Sequence, residues 1–179
     1  MRLLSSLLVL PRLRFAILCG VAVAVAPPAA AQDARLSGTY TLDAAASDDI
    51  RAAVQTTVAR VNPLLRGYVR GRLRTANPPI PRVAIAFSGT LATITTGADT
   101  RRNVVGGPGV RARDNDGKAY TTTVTWDGPR LVQRFVADDG TRTNTFSVDA
   151  DGRLAMTVRL ESSRLPAPLV YTQRYQRTN

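Results

Sequence analysis

Lys118–Glu161, KAYTTTVTWDGPRLVQRFVADDGTRTNTFSVDADGRLAMTVRLE, carries the pattern that decides the fold. Tyr120, Thr122, Val124 and Trp126 fall on one parity, and Asp127-Gly128 follows as a hairpin turn. Arg130–Ala137 is the next extended run, closed by Asp139-Gly140. Thr141–Asp149 follows, then Asp151-Gly152 leads into Arg153–Glu161. In that last run Leu154, Met156, Val158 and Leu160 alternate with more polar neighbours, the period-two signature of a strand with one buried face. Sequential hairpins of this kind predict an antiparallel meander.

Working outward, strands are expected at Leu36–Leu42, around Arg82–Phe87, at Thr90–Thr95, Arg101–Val105 and Val110–Arg113, and at Leu169–Arg177. Between the first and second the period changes. Ile50, Val54, Val58 and Val61 form a helical stripe, with Ser47 as the expected cap and Asp48 and Asp49 in the first turn. Asn62-Pro63 breaks it, and a second helix starting at Pro63 would carry Leu64, Leu65, Tyr68 and Val69 until Asn77-Pro78-Pro79 stops it. The predicted fold class is all-β: an antiparallel up-and-down barrel of about 8–10 strands, with a two-helix insert (46–76) after the first strand. Closure removes the free edges of so long a meander. A two-sheet sandwich is the structural rival.

Residues 1–31 read as a secretory signal. Arg2, Arg12 and Arg14 precede the apolar run Phe15–Val25, and Ala29-Ala30-Ala31 supplies an A-x-A site after Pro27-Pro28. Cleavage after Ala31 leaves 32–179 as one barrel domain, working in the periplasm or outside the cell. Cys19, the single cysteine, lies in the discarded part, and the chain has no histidine. The net charge of +11 falls to +8 once three arginines leave, with 21 basic against 13 acidic residues. Such a surface favours anionic ligands or acidic membranes. Export and the lack of basic tracts interleaved with aromatics speak against nucleic acid.

Without Cys or His, soft-metal sites, thiol chemistry and imidazole catalysis are excluded from the mature chain. Asp114-Asn115-Asp116-Gly117 and Asp149-Ala150-Asp151-Gly152 are too short for calcium loops and read as turns. The sole glutamate, Glu161, has solvent-facing parity, and Lys118 is the only lysine. No enzyme, cofactor or metal is expected.

The order strand, helix pair, nine strands resembles the intracellular lipid-binding (fatty-acid-binding) proteins and the wider lipocalin-like group. Gly38-Thr39-Tyr40 stands where those families have glycine, any residue, tryptophan. Pro81–Gly89 followed by Thr90–Thr95 is similar to their first hairpin after the helices. Trp126-Asp127-Gly128-Pro129-Arg130-Leu131-Val132-Gln133 is similar to their turn into a Leu-Val strand, and Tyr171–Tyr175 to their closing strand. The resemblance covers about residues 36–177 and implies binding of an apolar or amphiphilic small molecule. A secretion signal departs from the intracellular members.

Those families place an arginine two residues before a tyrosine on the closing strand. Here Gln173 stands two before Tyr175, so the charge of that motif is not carried over, although Gln173 can donate to a ligand oxygen. Arg142 shares parity with Asn144, Phe146 and Val148 and is the internal-anion candidate, against a solvent-reaching or ion-paired arginine. Gln133 shares parity with Leu131 and Phe135, as a ligand group or a structural hydrogen bond. Trp126, Gln173 and Tyr175 complete the candidate ligand site. The resemblance implies a helix pair over the barrel entrance that meets membranes, and Arg66, Arg70 and Arg74, four residues apart, are the membrane-contact candidates. Carriage of a small apolar or amphiphilic ligand, with an anionic head group as one option, is the leading function. A non-catalytic envelope structural or protein-interaction module with a side-chain-filled barrel is the alternative. Oligomeric state has no signal in the sequence.

Overall fold

The computed structural model describes residues 34–114 and 116–178; residues 1–31, expected to act as a signal, and with them Cys19, lie outside the described residues. Ten strands follow in chain order: β1 (Gly38–Asp43), β2 (Arg82–Ser88), β3 (Leu91–Thr96), β4 (Asp99–Val104), β5 (Val110–Arg113), β6 (Ala119–Asp127), β7 (Arg130–Ala137), β8 (Gly140–Val148), β9 (Leu154–Ser162) and β10 (Leu169–Thr178). Two helices, α1 (Ile50–Ala59) and α2 (Arg66–Ala76), are inserted between β1 and β2, with a 3₁₀ turn at Pro63–Leu65 ahead of α2.

All ten strands form one antiparallel sheet in the order β4-β3-β2-β1-β10-β9-β8-β7-β6-β5. The first and last strands are neighbours, with Thr39 opposite Thr178 and Asp43 opposite Arg174. The barrel expectation holds, and the strand count reaches ten. Closure is nearly complete. Between β4 and β6, Val105 and Val124 form a parallel bridge, and the Gly106 N–H donates to the Val124 carbonyl at 2.8 Å. Asn103 Nδ2 adds a bond to the Thr122 carbonyl at 3.1 Å.

The turns formed as their residues require. Gly128 and Gly152 sit at φ of 56° and 79°, conformations that glycine adopts without a Cβ penalty. The Asp149 carboxylate accepts from the N–H groups of Asp151 and Arg153, and Asp114 does the same for Asp116 and Lys118. These carboxylates hold their own turns.

One cap differs from expectation. Asp49, not Ser47, caps α1, accepting from the Arg51 and Ala52 N–H groups at 2.7 and 3.3 Å. Ser47 and Asp48 serve the sheet instead. The Arg174 N–H donates to Ser47 Oγ at 2.8 Å, and the Thr172 N–H donates to Asp48 Oδ2 at 2.7 Å. Past the end of β1 these side chains satisfy the edge of β10, a tertiary demand that outranks local capping. The second helix also starts later than expected. Pro63–Leu65 is a 3₁₀ turn, and Asn62 accepts from the Leu64 N–H at 3.0 Å. Val54 and Val58 bury the stripe of α1, while Leu73 is the one buried residue of α2.

Candidate functional site

Antiparallel register stacks inward residues in rows around the wall. One row runs Thr122, Phe135, Arg142, Leu160 and Leu169, at the end that meets the α1–α2 pair, the lid of the barrel. The next runs Val124, Gln133, Asn144, Val158 and Tyr171. A third, farther from the lid, runs Trp126, Leu131, Phe146, Met156 and Gln173. Tyr175 stands beyond Gln173 on β10, opposite Leu154. Of the five sequence-derived ligand candidates, Arg142 and Gln133 thus share the upper and middle lumen, while Gln173 and Tyr175 lie deeper, in and beyond the third row. Trp126 does not join them. It lies at the end of β6 away from the lid, where its ring stacks on Phe87 at 5.8 Å between centroids.

Arg142 is the donor at the centre of the cluster. Its Nε donates to Asn144 Oδ1 at 3.0 Å, and Asn144 Nδ2 donates onward to Gln133 Oε1 at 3.3 Å. Its Nη1 donates to Asn77 Oδ1 at 3.0 Å and to the Ala76 carbonyl at 3.4 Å. Asn77, directly after α2, also accepts from the Tyr171 hydroxyl at 3.1 Å. All of these acceptors are neutral. The ion pairs of the described residues join Arg101 to Asp99, Lys118 to Asp139, Arg130 to Asp127, Arg153 to Asp151 and Arg159 to Glu161; none includes Arg142. Arg142 is half-buried, and without a counter-charge its guanidinium leaves a positive potential that only solvent and neutral dipoles screen.

The tyrosines add neutral donors. Burial pushes the Tyr171 hydroxyl above its ordinary value, against the lowering effect of Arg142. Tyr175 is raised mainly by burial and then by neighbouring Tyr171, again with Arg142 opposing. Both remain protonated through the neutral range. The Tyr175 hydroxyl and Gln173 Oε1 are buried without a hydrogen-bond partner, as is Thr122 Oγ1. The lumen therefore holds more polar capacity than its side chains use among themselves.

Arg101 is a member the sequence reading did not place inside. It pairs with Ile94, which faces the core, and it shares parity with buried Asn103. Its guanidinium lies 5.6 Å from the Tyr120 ring centroid, and Tyr120 packs on Phe135 at 5.9 Å. The parity of Arg101 with Asn103 was the available signal, but the register of the short β4 could not be fixed without its neighbour.

From Tyr171 downward the lumen is filled. Tyr40, Phe146, Met156, Tyr171 and Tyr175 are each at most 1% exposed. Elsewhere a cleft of about 190 Å³ is lined by Asp43, Ala46, Ser147, Arg153 and Arg174 among others. Asp43 is engaged there with Gln176 and Arg153 with Asp151, and of the candidates only Tyr175 borders it.

The lid presents apolar groups outward. Leu64, Leu65 and Tyr68 are 92%, 55% and 67% exposed, whereas Val69 packs against the core. Arg66 does not belong to a free basic face. Its Nε and Nη2 donate at 2.9 Å to the carbonyls of Val61 and Ala59, closing the C-terminal end of α1. Arg70 is half-buried, with its Nε unpaired, and Arg74 is exposed in the last turn of α2. The three arginines expected on one face therefore occupy three different environments.

Solved structures share this architecture. The fold is that of the fatty-acid-binding barrels. A REP1-NXSQ fatty acid transporter superposes with a TM-score of 0.54 at 18% identity, over 82% of this chain and 98% of its own. A Schistosoma mansoni fatty acid binding protein in complex with arachidonic acid gives 0.52 at 16% identity, over 83% and 99%. A secretory abundant heat soluble protein of Ramazzottius varieornatus gives 0.56 at 11% identity, over 80% and 96%. At these identities the likeness establishes the fold. No protein-family model and no curated protein matches the sequence.

Proposed function

We propose that this protein is a non-catalytic carrier that binds a small amphiphile under its lid, with a polar or anionic head at Arg142. The observation that carries this reading is the uncompensated Arg142 guanidinium inside the barrel, bonded to three neutral acceptors and flanked by the Tyr171 hydroxyl. An anionic head group supplies the missing charge and a stronger acceptor than an amide. Phe135 and Leu160, the partly exposed inward residues beside Arg142, offer apolar surface for the tail. The filled lower lumen limits how deep a tail reaches. Fatty acids are named among the ligands of the solved neighbours, which supports the same chemical class here.

Mass spectrometry of small molecules retained by the gently purified protein tests this directly, followed by calorimetric titration with oleate. A reproducible amphiphile, with binding lost in Arg142→Gln, is the expected result. An empty protein that ignores a lipid panel moves the assignment to the second reading, a structural or protein-interaction module, which the filled lower lumen favours.

The reading includes export by residues 1–31, so a protein recovered outside the cytoplasm should begin at Gln32 on N-terminal sequencing. It also places the lid against anionic membranes, through Leu64, Leu65 and Tyr68 with Arg70 and Arg74 behind them. Replacing the three apolar residues with Ser should cut binding to anionic vesicles; equal binding by both proteins would remove the membrane step.

A further inference from the structure

Asn77 joins two parts of the molecule that otherwise meet through little. It is 2% exposed and directly follows α2, ahead of Pro78, which cannot donate to continue the helix. Its Nδ2 donates to the Leu73 carbonyl at 2.8 Å, so the side chain closes the helix end. Its Oδ1 accepts from Arg142 Nη1 at 3.0 Å and from the Tyr171 hydroxyl at 3.1 Å. Arg142 also reaches the Ala76 carbonyl at 3.4 Å. Among the described residues, the side-chain hydrogen bonds between the end of α2 and the barrel wall converge on Ala76 and Asn77. The apolar hold of α2 is small, since Leu73 is its one buried residue.

Two donors from different strands, one of them charged, converge on a single neutral oxygen. That is the arrangement a carboxylate or phosphate oxygen would prefer, and an anionic acceptor forms the stronger bond to a guanidinium. We propose that Asn77 is a latch: its carboxamide oxygen holds the place on Arg142 and Tyr171 that a ligand oxygen takes, so that ligand entry releases the C-terminal end of α2. The inference rests on reading Arg142 as the head-group site. Its consequence is thermodynamic linkage, because whatever weakens the latch strengthens the ligand, and the ligand in turn loosens the lid.

The test combines oleate titration with hydrogen exchange of the amides of residues 66–77, with circular dichroism as the check of folding. Asn77→Ala should bind oleate about tenfold tighter, the effect of removing one competing charge-assisted bond. Its α2 amides should exchange faster without oleate, and added oleate should speed them no further. Asn77→Ser, which keeps a small polar group, guards against a folding failure and should move in the same direction. Asn77→Asp places a competing carboxylate on Arg142 and should bind oleate about tenfold more weakly. Without ligand, Arg142→Gln should speed α2 exchange, though less than Asn77→Ala, because the bonds of Asn77 to Tyr171 and to the Leu73 carbonyl remain. If Arg142→Gln binds oleate as the parent does, the head-group reading is wrong and the latch falls with it. If Arg142→Gln loses oleate while Asn77→Ala changes neither binding nor exchange, that reading stands and the latch alone is overturned.

Discussion

The two ends of the barrel are stabilised differently. Away from the lid the lumen is a packed core, in which Phe146, Met156, Leu154 and Tyr175 fill the space and Trp126 stacks on Phe87. Arg177 seals that end, donating to the Tyr40 hydroxyl at 2.9 Å and lying 5.2 Å over its ring, while Tyr40 donates to the Leu36 carbonyl at 3.0 Å. Beneath the lid the same wall carries Arg142, Asn144, Gln133 and Tyr171, linked by hydrogen bonds and holding an unmatched charge. Packing density fixes the first end, and polar satisfaction fixes the second. A binding site is expected at the second, because apolar volume is hard to displace and a neutral acceptor is not.

The largest effect should come from breaking the packed end. Phe146→Ala should cost about 3–5 kcal/mol in urea unfolding, since a fully buried ring leaves a cavity its neighbours cannot close. Alkali should act next. Tyr171 and Tyr175 remain protonated in the folded state above the ordinary value of 10.0, while the unfolded chain ionises them. Their contribution is complete below that value and is lost as pH rises through the folded one, by at most about 1.4 kcal/mol per pH unit for each tyrosine. Denaturant midpoints measured from pH 8 to 12 should fall only in the upper part of that range.

The comparison sharpens on one strand. Tyr171→Phe removes the bond to Asn77 and should cost about 1 kcal/mol, while Tyr175→Phe, whose hydroxyl has no partner, should be neutral or stabilising. Equal losses in the two variants would show that the hydroxyl of Tyr175 is satisfied in solution. The smallest effect belongs to the lid surface. Ser at Leu64, Leu65 and Tyr68 should leave stability within about 0.5 kcal/mol, because these side chains are exposed, and should act only on vesicle binding.

Much of the lumen lining was legible because strand parity carries direction. Phe146 and Val148 alternate with Ser147 and so put Arg142 and Asn144 on the inward parity, with a solvent-reaching Arg142 left open, and Leu131 did the same for Gln133. Gln173 and Tyr175 followed from the closing strand. Helical spacing was less informative. Arg66, Arg70 and Arg74 repeat every four residues, yet Arg66 turns back onto α1 because two carbonyls at its end lack intrahelical donors. Ser47 has the composition of a cap, but the open edge of β10 claimed it. Asn77 looked like a helix stop and nothing more, since its partners lie 65 and 94 residues away.

Local sequence set the strand count within the expected range of about 8–10, the antiparallel order, the position of the helical insert and the inward set on each long strand. Those follow from local chemistry: alternation, turn glycines, and the change of period between residues 46 and 76. Tertiary structure alone decided which inward groups meet. Closure brought β1 against β10 and set the end of α2 over Arg142, so a helix-stopping asparagine became the acceptor for an arginine and a tyrosine. Contacts between segments so distant in the chain leave no periodic trace in it, because they depend on how the wall curves and not on any residue's neighbours.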